Sequence, residues 1–94
     1  MPQVNLNYEP FLQAWFALEK PEQLAMLKTI RKILALSWDE LYKDSGLNWE
    51  LATQRGEERF YSIRITQKCR ALVQREGNLV VFVSLHPDHD SAYR

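Results

Sequence analysis

Along the last third of the chain, apolar and polar side chains alternate with a period of two. Over residues 60–65, Tyr61, Ile63 and Ile65 fall on one side and Phe60, Ser62 and Arg64 on the other. Over residues 69–74, Cys69, Ala71 and Val73 oppose Arg70, Leu72 and Gln74. That period predicts two half-buried strands. Thr66-Gln67-Lys68 between them has the length of a three-residue hairpin loop. Closing the hairpin there sets Ile65 against Cys69, Ile63 against Ala71 and Tyr61 against Val73, which makes one apolar face. The same register sets Arg64 directly across from Arg70. A second turn at Glu76-Gly77-Asn78 leads into residues 79–85, which are apolar on both faces. Such a run predicts the best-buried strand, at the centre of the sheet. Pro87 ends it.

Upstream the pattern lengthens to helical spacing. Val4-Asn5-Leu6-Asn7 alternates over four residues and predicts a short strand. Pro10, with Asn7 or Glu9 near the cap, opens a helix carrying Phe11, Leu12, Trp15, Phe16 and Leu18. Pro21 disfavours a helical residue before it, so this helix is expected to stop near Lys20. Pro21 starts a second helix, in which Met26, Leu27, Ile30, Ile33 and Leu34 form an apolar stripe. Lys28, Arg31 and Lys32 take its other faces. The tight connection predicts an antiparallel helical hairpin. Ser37-Trp38-Asp39-Glu40 matches a capping box and opens a short third helix that Gly46 ends. Residues 47–58 show no firm period and are expected to connect the helices to the sheet. The order predicts an α+β fold, with an N-terminal helical hairpin packed on one face of a small antiparallel sheet. Residues 1–94 are expected to form a single domain. Tyr61, Ile63, Ile65, Cys69, Ala71 and Val73 would meet the helices, and the face with Arg64 and Arg70 would be open to a ligand.

Composition adds a compartment and a charge map. Hydrophobic residues make up 46% and charged residues 26% of the chain, ordinary globular values. Cys69 is the single cysteine, which excludes an intrachain disulfide and fits a reducing compartment. The opening MPQVNLNYEP lacks a basic, apolar leader, and no apolar run is long enough to span a bilayer. The expected location is therefore the cytoplasm, with no membrane partner. Net charge is zero, but residues 1–58 carry six Lys/Arg against nine Asp/Glu. Residues 59–75 carry Arg59, Arg64, Lys68, Arg70 and Arg75 and no acid. A basic hairpin in an acidic body suggests a local anion site rather than general nucleic-acid affinity. Two arginines facing each other destabilise a sheet. A phosphate lying between them would offset that, and so would two guanidiniums splayed into water.

YSIRI, a short turn, an arginine entering an apolar strand in CRALV, a further hairpin and a tail containing HD-x-A-Y together resemble the RelE/ParE superfamily of bacterial type II toxins. The resemblance covers residues 47–93. It implies a small α+β toxin that enters the ribosomal A site and cleaves mRNA without a metal or other cofactor. Positioned side chains would activate the ribose 2′-hydroxyl, hold the scissile phosphate and protonate the leaving 5′-oxygen. Arg70 matches the family's phosphate-binding arginine, and Arg64 a basic position on the preceding strand. Glu50 falls where one branch carries its general base. His89 and Tyr93 lie in the segment that supplies the family's His and Tyr, with His86 the alternative to His89. The resemblance also implies a cognate antitoxin, bound across the arginine face or the helical hairpin, and, for an active copy, the ribosome and mRNA as partners. A sister branch inhibits DNA gyrase without a nuclease site, and a degenerate member would only bind its antitoxin.

Several residues carry competing readings. Glu50 is either a base or a solvated carboxylate that pairs with a sheet arginine. Arg59, Lys68 and Phe60 are candidates for substrate contact, since Phe60 shares the arginine face. Trp49 could stack a base, whereas Trp15 belongs to a helix stripe and is expected in the core. His86-Pro87-Asp88-His89-Asp90 gathers four potential ligands, but its spacing matches no metal motif, and no metal site is expected. Cys69 sits on the core side and is expected to be a buried, inert thiol.

Overall fold

In the computed structural model, which describes residues 1–87, three helices follow a short strand and four antiparallel strands follow the helices. The elements are β1 (Gln3–Asn5), α1 (Glu9–Phe16), α2 (Lys20–Ala35), α3 (Trp38–Lys43), β2 (Glu50–Arg55), β3 (Glu58–Arg64), β4 (Arg70–Glu76) and β5 (Leu79–His86). They form one five-stranded sheet in the order β1-β5-β4-β3-β2. β1 lies parallel to β5, with Val4 beside Val80, and every other pair is antiparallel. The α+β class is thus as the pattern predicts, but the sheet has more strands than expected and β4 is its centre. β5 is second from one edge. Its outer edge pairs with β1.

The β3–β4 hairpin has the register that the alternation predicts. Tyr61 pairs with Val73, Ile63 with Ala71 and Arg64 with Arg70. The turn is closed by the Ile65 N–H donating to the Cys69 carbonyl at 2.9 Å. The Thr66 hydroxyl accepts from the Cys69 N–H at 3.0 Å. Ile63, Cys69, Ala71, Val73, Val80 and Phe82 bury their side chains beneath the helices, against Phe11, Met26, Ile33, Leu41 and Leu47. The Phe11 and Phe82 rings meet at 5.3 Å between centroids. Each fully buried Val, Leu, Ile, Phe or Met among them contributes roughly 1.5–3 kcal/mol by leaving water.

Four expectations are corrected. Residues 47–58 are not a plain connector, since β2 pairs with β3 through a two-residue turn at Gly56, φ +61°. The strand escaped notice because it is an edge strand with a register shift between Leu51 and Thr53, and its side chains are mostly exposed. α2 begins at Lys20, with Pro21 in its first turn, where the missing N–H costs nothing. The α2 stripe is rotated: Met26, Thr29 and Ile33 are buried, while Leu27 and Leu34 stay about half exposed. Residues 27 and 34 sit one position, about 100°, around the helix from 26 and 33. Finally, α3 ends at Lys43, before Gly46. The left-handed residue in that connector is Asn48, φ +51°.

The capping box is formed as expected. The Ser37 hydroxyl accepts from the Glu40 N–H at 3.2 Å, and the Glu40 carboxylate accepts from the Ser37 N–H at 2.9 Å. Among the described residues no helix is long and apolar enough to cross a membrane.

Candidate functional site

Residues that alternate with the buried face of β3, β4 and β5 project from the other side of the sheet. The pairing aligns Arg64, Arg70 and His86 in one row across these three strands. Adjacent strands lie about 4.8 Å apart, so the row spans about 10 Å from β3 to β5. The neighbouring row, two residues along each strand, holds Glu50, Ser62, Leu72 and Ser84. The rows are about 7 Å apart. A carboxylate, two guanidiniums and an imidazole, far apart in sequence, thus share one patch.

A β-bulge brings His86 to that patch. Leu72 pairs with Ser84 but Val73 pairs with Phe82, which leaves Val83 as the extra residue in β5. Val80 and Phe82 face the core, and strict alternation would next send Ser84 and His86 inward. The extra residue reverses the parity, so Leu85 is buried and His86 joins the arginine row. The His86 Nε2 lies 2.9 Å from the Ser84 hydroxyl. Burial pushes the His86 pKa below its ordinary value by disfavouring the charged ring.

This face is not the open plane that the alternation suggests. Ser62 is fully buried and Arg70 retains only 4% exposure, while Arg64 is half-buried. Both β3 and β4 are flanked by strands on both sides, so the short Ser62 side chain and the base of Arg70 stand among taller neighbours. Arg70 thus brings a planar, positively charged guanidinium into a largely dry setting.

Glu50 is set in place from the other side of β2. Its neighbour Trp49 stacks on Tyr61 at 4.8 Å, and meets Trp38 and Tyr42 edge-on at 6.3 and 5.5 Å. Trp49 is therefore part of a helix-side aromatic cluster and is not on the arginine face, contrary to its reading as a base-stacking residue. Alternation then turns Glu50 to the arginine side, opposite Ser62. Arg75 also leaves the basic face: its guanidinium lies 3.7 Å over the Trp38 ring and bonds the Tyr42 hydroxyl.

The remaining expected site residues are dispersed. Phe60 is half-buried on the same side as Arg64 but four residues along β3. Arg59 alternates to the helix side near the β2–β3 turn, where it lines a cleft with Arg75. Lys68 is exposed in the β3–β4 loop. Asp88, His89, Asp90 and Tyr93 lie outside the described residues. Cys69 is fully buried, and its pKa is raised to about 11 by that burial and by the charge of Glu22.

Ser62, Ser84 and the Val83 bulge were missed by sequence reasoning. Ser62 could have been found, since it lies on the same alternation as Arg64; Ser84 could not, since the bulge sets the side it takes. The bulge could not, because a strand apolar on both faces has no parity to break.

No family model matches the chain, and no curated protein matches it. Two solved structures do. The archaeal RelE of a RelE–RelB complex from Pyrococcus horikoshii superposes with a TM-score of 0.63 at 17% identity, covering 92% of this chain and 93% of that one. A copper-bound mutant toxin from Helicobacter pylori superposes with a TM-score of 0.56 at 14% identity, covering 97% and 98%. Helices packed on a five-stranded, mostly antiparallel sheet define an α+β architecture. This chain shares the RelE-like fold of these two proteins over nearly its whole length.

Proposed function

We propose that this chain is the toxin of a type II toxin–antitoxin pair and that it cleaves mRNA on the ribosome. The observation that carries the reading is the alignment of Arg64, Arg70 and His86 in one row, with Glu50 in the next. Two guanidiniums side by side present paired, charged donors that suit the non-bridging oxygens of a phosphodiester. Arg70 would bind the non-bridging oxygens through its fork. Charge builds on those oxygens as the ribose 2′-oxygen attacks phosphorus and the bond to the 5′-oxygen breaks.

A general base must take the 2′-hydroxyl proton. His86 suits that role, because burial favours its neutral form and the Ser84 hydroxyl orients the ring. Glu50 is the second candidate, at the edge of the same patch. The proton for the 5′-oxygen would come from His89 or Tyr93. No step calls for a metal. A cognate antitoxin is the expected partner, as RelB is in the archaeal complex that shares this fold.

The test is to express the protein and map mRNA 5′ ends on ribosomes. Cuts within A-site codons support the nuclease. DNA breaks with intact mRNA would support a ParE-like gyrase inhibitor instead.

A further inference from the structure

A cleft of about 220 Å³ opens between α2 and the connector from α3 to β2. Lys28 and Lys32 line it from α2, Gly46 and Leu47 from the connector, and Arg64 from the end of β3. Lys28 and Lys32 are one helical turn apart and so share a face. Asp44 is the carboxylate that answers them, and it is held by Lys32 at 2.7 Å. Among the described residues, neither Lys28 nor Arg64 makes an ion pair. Gly46 keeps the wall bare: a Cβ there would stand 2.7 Å from the Lys32 ammonium. Arg64 belongs both to this cleft and to the row that contains Arg70.

We propose that this cleft is a second phosphate subsite for single-stranded RNA, held by Lys28 and Arg64 with Lys32 at its wall. It would take a backbone phosphate next to the one at Arg70. The part concerning the scissile phosphate rests on the nuclease reading, whereas RNA binding in the cleft does not. Size decides the class of occupant. The cleft is smaller than the roughly 300–1,000 Å³ of a pocket for a whole small molecule. It is also too small for an α-helix, about 10–12 Å across with its side chains. One anionic group on an extended chain fits. The five N–H donors of Arg64 can serve two neighbouring phosphates at once, which gives the strand a continuous path from row to cleft.

The test is fluorescence anisotropy with a labelled single-stranded RNA dodecamer across a salt series, on the full chain. A polyglutamate peptide is the second probe. The variants are Lys28→Gln, Lys28→Arg and, as a control away from the cleft, Lys43→Gln, each checked by thermal melting. Lys28→Gln is expected to weaken RNA binding several-fold at low salt. It should also lower the salt slope by about 0.7, the share of one phosphate contact on a single strand. Lys28→Arg should restore most of the loss, and Lys43→Gln should bind like wild type. An unchanged slope and affinity in Lys28→Gln overturns the subsite. An equal loss on polyglutamate overturns its assignment to RNA and makes the cleft an acidic-protein surface. If wild type leaves ribosomal mRNA intact while Lys28→Gln still loses RNA binding, the nuclease reading falls and the cleft stands.

Discussion

Arg64 and Arg70 are direct register partners on antiparallel strands, projecting from the same side of the sheet. Directly opposed Cα atoms in such a pair lie about 4.5–5.5 Å apart. Two like charges at that spacing cost up to about 1 kcal/mol relative to a neutral pair. Replacing Arg64 by Met should therefore leave the protein as stable as wild type or slightly more so, with the gain shrinking as salt is added. Melting curves at low and high salt check this. A large loss of stability would show that contacts made by the Arg64 side chain outweigh the repulsion.

His86 gives the stability a pH dependence of definite sign. Its folded pKa is depressed by burial, while in the unfolded chain it returns to about 6.5. Between those two values the unfolded state binds more protons, so His86 contributes a loss of stability as pH falls through that window. Above about pH 6.5 the contribution is constant. Denaturant melts from pH 8 to pH 5 should show a steeper decline for wild type than for His86→Gln. Equal slopes would mean that burial does not act on this ring.

The fold was legible where one residue decides one thing. The Thr66-Gln67-Lys68 loop has a single length, so the Arg64–Arg70 register followed from counting. Ser37 and Glu40 announced α3 by their spacing. Legibility failed where tertiary context chose between equals. Leu27 and Leu34 are as apolar as Met26 and Ile33, and only the sheet's position rotates them outward. Strand β2 is polar at an edge and bulged, so neither its pairing nor the placement of Glu50 opposite Ser62 could be read. In the candidate patch, the facing of Arg64 and Arg70 was legible. That of His86 was not, because it depends on the bulge at Val83.

Gly46 is required by space rather than by conformation. An added Cβ would meet the Lys32 ammonium at 2.7 Å and the Asp44 carboxylate at 3.1 Å. The ammonium is the end of a flexible chain and can move, so the cost is the Lys32–Asp44 pair. Partial burial works to raise the Asp44 pKa, but bonds from Lys32 and from the Leu47 N–H, with the Lys32 charge, outweigh it and hold it low. Gly46→Ala should cost under about 1 kcal/mol, the scale of a partly exposed pair. The cost should largely vanish in a Lys32→Ala background, because both changes remove the same contact. Additive losses in a double-mutant cycle would contradict this.

Cys69 should resist alkylation in the folded protein. Its thiol is fully buried with a pKa raised to about 11, so almost no thiolate is present near neutral pH. Iodoacetamide labelling followed by mass spectrometry should show modification only when denaturant unfolds the chain. Rapid labelling of the native protein would place Cys69 at the surface.

The most direct measurement is the rate of mRNA cleavage on ribosomes for wild type, Arg70→Ala and Arg70→Lys, each confirmed folded by its melting curve. Wild type is expected to cut within A-site codons. Arg70→Ala should slow cleavage by about a hundred-fold or more, the scale of losing one electrostatic stabiliser. Arg70→Lys should recover only part, since it keeps the charge and loses the fork. A folded Arg70→Ala that cleaves at the wild-type rate, or a wild type that leaves ribosomal mRNA intact, would contradict the assignment.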